Sequence, residues 1–364
     1  MTVIGWDLGG ANVKLACVEG TKVVHVAQLP CPLVADRLKF DKAMEAALPL
    51  LPSPALHAVT MTGELSDVFS HRQEGVAYLV ELMQTVTTGP LLIYGGRAGF
   101  LAPEEAKQRT LEVASANWHA TAAFTARHQA EALLVDVGTT TTDIVPIKGG
   151  AVAARGNNDS ERLTEGELVY TGIVRTPIMA VTQEAPFRGR LQRIAAERFA
   201  TMADVWRLTG DLPEGADPYP AADQRGKSAE ESAARLARML GRDASQAEPN
   251  DWIALACYFA SCQLGQIETA ARALAAREQL AKRAPVVGAG CGRLVAKQLA
   301  ARLGHPYVDF AEMIDVVAEA QELAARCAPA VAVALLAEEQ YSQESLERQT
   351  RLNDAKPRSA DKPG

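Results

Sequence analysis

The sequence predicts an α/β protein built from two related domains. Three observations carry this expectation. The chain has 364 residues, long for one core and ample for two. Strand-like apolar runs alternate with longer helical stretches along most of it. One pattern also occurs twice without gaps, as "IGWDLGGANVKLACV" (4–18) and "LLVDVGTTTTDIVPI" (133–147). Asp7 falls on Asp136, Gly9 on Gly138, Asn12 on Thr141 and Lys14 on Asp143. Each copy reads as an apolar strand, Asp-x-Gly, a small or polar quartet and a second strand. A matched pair of this kind, each opening a region of strands and helices, implies two related domains facing each other.

The elements follow in order. Residues 1–30 alternate like paired strands, and 37–51 read as a helix. "HAVTMTG" (57–63) is a short strand ending in a turn, with a helix expected to begin at "ELSDVF". "GPLLIYGG" (89–96) is a strand ending in glycines, and "PEEAKQRTLEVASANWHATAAFTARHQ" reads as one long helix with Pro103 near its start. "ALLVDVG" (132–138) restarts the strand pattern. Residues 190–280 read as a helix-rich insertion broken by the polar loop 210–228. "APVVGAG" (284–290) is a strand and "CGRLVAKQLAARLG" its helix. Residues 312–339 form an Ala-rich helical region that Pro329 is expected to interrupt. The domains are placed at 1–128, with helices 312–342 packing back on it, and at 129–311. The polar tail 344–364 is expected to be disordered.

Hydrophobic residues make up 48% of the chain, enough for real cores, and the net charge is -7. A mildly acidic chain is a poor nucleic-acid binder. No run reaches the roughly 20 apolar residues of a membrane span. Six isolated cysteines without a CxxC pair argue against zinc and for a reducing compartment. The expectation is a cytoplasmic protein with small-molecule partners, and its pairing into a homodimer is left open.

Phosphate needs donors close to the backbone, and Mg²⁺ needs a carboxylate, usually through water. In the first hairpin Gly9 and Gly10 offer amides, and Asn12 and Lys14 offer side-chain donors. In the second, Gly138 and Thr139, Thr140, Thr141 and Thr142 offer amides and hydroxyls, although alternate threonines point to opposite faces. Asp7 and Asp136 are the candidate catalytic carboxylates and Mg²⁺ ligands. Either hairpin alone is equally a strand-and-turn element; the pair favours a phosphate site. "PVVGAGCGRLVAKQLA" adds a strand, glycine turn and helix, with Gly288, Gly290 and Gly292 as a nucleotide-like pocket or simply a tight connection. It is not a dinucleotide fingerprint, because the third glycine falls at Arg293. "RGKS" (225–228) is no P-loop, since the required earlier glycine is Ala221. Thr62, Gly63 and Glu64 stand at a strand's end, where open α/β sheets place ligands. Substrate contacts are also sought at Asn117 and Trp118, at Tyr170, Arg175 and Thr176, and at Asp223, Arg225 and Lys227 of the polar loop; packing, salt bridges or solvation are the simpler alternatives.

Two Asp-x-Gly hairpins followed by a Gly-Ala-Gly turn resemble the actin-like ATPase superfamily, which includes sugar kinases, hydantoinase A and oxoprolinase. Through "IGWDLGGANVK", "TMTGELSDVF", "SANWHATA", "VDVGTTTTDIVPI", "GELVYTGIVRTP", "ADQRGKS" and "VVGAGCGR" the chain is most similar to a hydantoinase A-related family linked to tetrahydromethanopterin-dependent C1 transfer. The resemblance implies a two-domain actin-like (ribonuclease H-like) fold with a cleft between the duplicated domains. It implies a synthase that condenses an aminomethylfuran-methyl diphosphate with a phenolic tyramine- or tyrosine-based acceptor, releasing diphosphate in methanofuran or methylofuran biosynthesis. Glu64 would then be the phenol's base. Two departures, the single glycine of the second hairpin and Lys14 in the first, count against ATP as substrate. An ATP-dependent hydrolase or kinase and a non-enzymatic nucleotide sensor are the alternatives.

Overall fold

The computed structural model describes residues 1–31, 37–47, 51–52 and 55–354. The chain divides into two compact units, one of Met1–Ala120 with the chain from Pro329 onward, the other of Thr121–Ala328.

In the first unit, β1 (Thr2–Leu8) lies antiparallel to β2 (Asn12–Glu19), which lies antiparallel to β3 (Lys22–Pro30). On its other side β1 pairs in parallel with β4 (Leu56–Met61), which is parallel to β5 (Leu91–Tyr94); a short β6 (Phe100–Leu101) closes the edge. Ile4, Trp6, Leu8, Val13, Leu15, Val59 and Ile93 share one core with Phe40 and Met44 of α1 (Arg37–Ala47) and Leu79, Val80 and Met83 of α2 (Arg72–Val86). The opposite face of β1 meets the long C-terminal helix at Gly5. A Cβ there would overlap the Ala330 carbonyl and come to 2.7 Å from the Ala334 methyl. The alanine run of that helix is therefore a packing requirement, because small side chains let helix and strand backbones touch.

The second unit repeats the plan. β7 (Glu131–Val137) pairs antiparallel with β8 (Thr142–Lys148), and β8 with β9 (Ala151–Val152). Short α6 (Asp159–Glu165) leads to β10 (Leu168–Val169), also on β8. The hairpin β11 (Glu184–Phe187) and β12 (Arg190–Arg193) precedes α7 (Met202–Thr209), α8 (Ala229–Met239) and the 29-residue α9 (Pro249–Arg277). β13 (Val286–Ala289) runs parallel to β7 and to β14 (Tyr307–Asp309), with α10 (Arg293–Leu303) between them in sequence. Asp7 pairs with Lys14 and Asp136 with Asp143, so the sequence repeat is a register repeat as well. Three antiparallel strands continued by parallel ones, built twice, make this the actin-like, ribonuclease H-like architecture. Among the described residues no single helix is long and apolar enough to cross a membrane.

Several local expectations are corrected. The single helix expected from Pro103 is three: α3 (Pro103–Gln108), α4 (Thr110–Val113) and α5 (Asn117–His128). Ser115 breaks it, with a left-handed φ of 54° that no helix accommodates. The helix expected at Glu64 is only a 3₁₀ turn, Gly63–Leu65; α2 starts at Arg72, where the His71 ring accepts the Glu74 amide. Pro329 does not break a helix. It sits in the first turn of α12 (Ala328–Asp354), where its missing N–H costs nothing, and the break lies before it, after α11 (Gln321–Arg326). Helix α12 runs past residue 344 to Asp354, and residues 48–50 and 355–364 lie outside the described residues. Cys257 is on the exposed side of α9.

Two outcomes follow from this packing. Gly5→Val should cost roughly 3 kcal/mol or more in urea unfolding, because the rigid α12 backbone cannot yield. His57 is buried, and its Nδ1 accepts the Trp6 indole N–H at 3.2 Å. Burial pushes its pKa below the ordinary value, against a smaller opposing effect of a backbone hydrogen bond at Thr88. Below about pH 6.5 the unfolded chain therefore binds a proton that the folded one resists. Stability conferred by neutral His57 is complete above that pH and falls as pH drops. The stability gap between wild type and His57→Gln should narrow from pH 7.5 to pH 5.5.

Candidate functional site

In the first unit, β1 and β2 pair as far as Leu8 and Val13, and Gly9–Asn12 close the hairpin. The Gly9 amide donates to the Asn12 carbonyl at 3.0 Å, and a Cβ on Gly9 would stand 2.9 Å from that oxygen. Asp7 is 2% exposed; its Oδ2 accepts from Lys14 Nζ at 3.1 Å. Register puts Lys14, Asp7 and Thr60 in one row on one face, and Asn12, two residues before Lys14, shares it. Asp7 Oδ1, Asn12 Oδ1 and Thr60 Oγ1 are all buried without a hydrogen-bond partner. Native interiors rarely leave such oxygens unmatched. Hard oxygen donors with one carboxylate fit Mg²⁺, which is usually held by one or two carboxylates, water and substrate phosphate. No group of three or more His, Cys, Asp or Glu among the described residues could hold a metal by itself. Thr60 carried no signal in the sequence, since a threonine inside a strand is ordinary.

Beyond the ends of β4 and β5 lies a polar cluster. Thr62 precedes the 3₁₀ turn, and its amide donates to the Leu8 carbonyl. Gly63 and Glu64 are buried. Glu64 Oε1 accepts both the amide (2.8 Å) and the hydroxyl (3.2 Å) of Ser115, so this carboxylate holds the left-handed break before α5. Asn117 opens α5 and its Oδ1 faces its neighbour's amide; Trp118 is buried with its edge against His119. His119 Nδ1 and the Tyr94 hydroxyl are 2.9 Å apart, both side chains buried. This pair was not legible beforehand: "LLIYGG" and "NWHATA" show nothing of their meeting.

In the second unit the Gly138 amide donates to the Thr141 carbonyl at 2.9 Å, the same bond at the matched position. The carbonyl of Gly138 accepts from Ile173, and that of Thr139 from Val174 and Arg175. Within a planar trans peptide the next N–H points opposite to the carbonyl. The amides of Thr139 and Thr140 are thereby turned away from segment 171–175, as an anion-binding turn needs. Gly172 makes this possible: a Cβ there would lie 2.5 Å from Thr139 C and Thr140 N. Thr139, Thr140 and Thr141 are partly exposed, whereas Thr142 is buried and donates to the Thr171 carbonyl at 2.6 Å. Asp136 pairs across the strands with Asp143, and the buried Arg162 guanidinium meets Asp143 at 2.7 Å, providing the positive charge that Lys14 provides beside Asp7.

The remaining candidates divide. Gly290 (φ 81°) has no room for a Cβ beside Asp136 Oδ1 and the Val137 carbonyl, and Gly292 none beside Val137 and Ile173. A Cβ on Gly288 would meet the Tyr307 ring, 2.5 Å from its hydroxyl. These three glycines are thus accounted for by protein packing. Tyr170 is 65% exposed, Arg175 is exposed, and Thr176 is buried with its hydroxyl accepting the Gly172 amide. Asp223 pairs with Arg235 (3.0 Å) and Lys227 with Asp217 (3.2 Å), while Arg225 is exposed. Two of the three loop charges therefore pin the loop to its own unit.

The hydantoinase/oxoprolinase family pattern matches residues 55–340. The (4-{4-[2-(gamma-L-glutamylamino)ethyl]phenoxymethyl}furan-2-yl)methanamine synthase of Methanocaldococcus jannaschii is 32% identical over 258 residues, 69% of this chain and 75% of the relative. The synthase of that name from Methanococcus vannielii is 32% identical over 124 residues, 34% of this chain and 55% of the relative. Among solved structures, nucleotide-free acetone carboxylase aligns with a TM-score of 0.57 at 9% identity, covering 91% of this chain and 70% of that one, a likeness of fold.

If the turn at Gly138 is an anion site, Gly172→Ala should weaken binding of inorganic diphosphate more than tenfold by calorimetry. Gly265→Ala, where an added methyl meets nothing within 4 Å, should leave it unchanged.

Proposed function

The chain belongs to the hydantoinase/oxoprolinase family, and from that membership we propose that it is a synthase forming an aryl ether on a furan. In this reading the phenol oxygen of a tyramine- or tyrosine-based acceptor attacks the exocyclic carbon of an aminomethylfuran-methyl diphosphate. The new C–O bond replaces the bond to diphosphate, which leaves with its electron pair, and the phenol proton passes to a base. The observation carrying the reading is 32% identity over 69% of the chain to a synthase whose named product contains that phenoxymethyl-furan linkage.

The geometry supports it. Departing diphosphate needs donors fixed in advance, and the amides of Thr139 and Thr140 are oriented by bonds their own peptide carbonyls make. In the first unit Gly9 shapes the matching turn, and Lys14 holds a positive charge against Asp7. Mg²⁺, for which Asp7 is the candidate carboxylate in the first unit and Asp136 in the second, would offset the charge growing on the leaving group. Glu64 is a poor candidate for the base, since Oε1 already holds Ser115. His119 is the better one: its imidazole can take up a proton, and its Nδ1 stands 2.9 Å from the hydroxyl of Tyr94, the last residue of β5.

The test is direct. Pure protein with Mg²⁺, the furan diphosphate and the phenolic amine should yield ether and diphosphate in equal amounts, followed by mass spectrometry and a phosphate assay. Asp7→Asn and Asp136→Asn should each lower turnover about 100-fold or more with little change in melting temperature. Full activity in both variants, or ATP hydrolysis with no ether formed, would overturn the reading.

A further inference from the structure

Gln263 lies on α9, inside the region read as an insertion, and its side chain is fully buried. Its Oε1 accepts the indole N–H of Trp206 on α7 at 2.9 Å. Its Nε2 donates to Thr171 Oγ1 and to the Gly172 carbonyl, both at 2.8 Å. Thr171 and Gly172 are themselves held. The Thr171 carbonyl takes the Thr142 hydroxyl at 2.6 Å, and the Gly172 amide donates to Thr176 Oγ1 at 2.8 Å. Gly172 is also the residue whose backbone lies against Thr139 and Thr140.

A buried amide is costly unless matched, and here three hydrogen bonds converge on a primary amide. Leucine fills nearly the same volume and is the ordinary choice for that face of α9, which otherwise carries Leu255, Phe259, Leu264 and Ile267. What glutamine adds is direction. It fixes the Gly172 peptide; the amides of residues 173–175 then fix the carbonyls of Gly138 and Thr139; those carbonyls turn the next two amides outward.

We propose that Gln263 is a positioning residue for the anion-binding turn, acting through Thr171 and Gly172 and not by touching the ligand. The helical region then belongs to the working parts of the second unit, since α9 carries the residue that holds Thr171 and Gly172 against the turn. This rests on the reading of Gly138–Thr141 as a diphosphate site, but its structural half can be measured without that reading.

The experiment uses the full chain and the variants Gln263→Leu, Gln263→Glu and Trp206→Phe. Hydrogen exchange of the peptide spanning 171–176 should quicken at least tenfold in Gln263→Leu, with exchange in β13 and α10 unchanged. Its Kd for inorganic diphosphate with Mg²⁺ should rise at least tenfold. Trp206→Phe, which leaves the Thr171 and Gly172 bonds intact, should raise Kd no more than about threefold. In Gln263→Glu a protonated carboxyl can again donate to one of the two partners. The ratio of its Kd to that of wild type should fall toward one as pH is lowered from 8 to 5.5, a recovery that packing alone would not produce. A folded Gln263→Leu with wild-type exchange and Kd would overturn the proposal, as would a pH-independent ratio for Gln263→Glu. If wild type binds no diphosphate, the functional reading fails, while unchanged exchange at 171–176 in the variants would separately overturn the role of Gln263.

Discussion

The constraint on which the rest depends is the planarity of two peptide groups, Gly138–Thr139 and Thr139–Thr140. Their carbonyls are drawn into hydrogen bonds with residues 173–175, so their amides must point the other way. A threonine-rich hairpin in isolation would let its peptides rotate, and water would satisfy both ends. Tying the carbonyls down converts a flexible loop into a fixed set of donors, and the cost of ordering is met in folding rather than in ligand binding. The glycines nearby follow from the same requirement. Gly172, Gly290 and Gly292 each allow a backbone to close on the hairpin where a methyl would push it away.

The two units meet one electrostatic problem in different ways. A buried aspartate at the end of the central strand needs a positive charge or donors around it. In the first unit, Lys14 on the neighbouring strand bonds Asp7 directly at 3.1 Å. In the second, that position is Asp143, which taken alone would place two carboxylates side by side. Arg162, buried in α6, meets Asp143 and also donates to the Glu167 carbonyl at 2.9 Å. Short α6 and β10 are thus the elements through which the second hairpin receives its cation. The substitution of Lys14 by Asp143 across the repeat is compensated in three dimensions by Arg162, and that compensation is invisible in an alignment of the two segments.

What the sequence revealed and what it hid separate along physical lines. The hairpins, their register and their glycine turns were legible, because strand alternation and Asp-x-Gly spacing are local properties that repeat. The breaks in the Pro103 helix were not, because Ser115 is held in a left-handed conformation by Glu64, a partner 51 residues away. Glu64 reads from the sequence as the phenol's base at a strand's end; in the fold it is buried and its Oε1 holds that break. Gln263 left no trace because a single polar residue in an otherwise apolar helix face looks like a tolerated exception. The Tyr94–His119 pair joins two segments that become neighbours only when β5 and α5 are placed.

That division bears on how the glycine turn before α10 is understood. Gly288, Gly290 and Gly292 read from the sequence as a nucleotide-like pocket or as a tight connection, because glycine admits a ligand close to the backbone. The same absence of a side chain admits protein equally well. Here each of the three has a neighbour within the space a Cβ would need: the Tyr307 ring, the Asp136 carboxylate and the Val137 side chain. A Cβ on Gly290 would overlap the Asp136 carboxylate, and Asp143 is the strand partner of Asp136 on the other side. A motif kept for packing around a buried carboxylate looks, in one dimension, the same as a motif kept for a nucleotide. The glycine pattern therefore carries no weight for ATP in this chain, and the chemistry has to be argued from the oriented amides and the carboxylates they accompany.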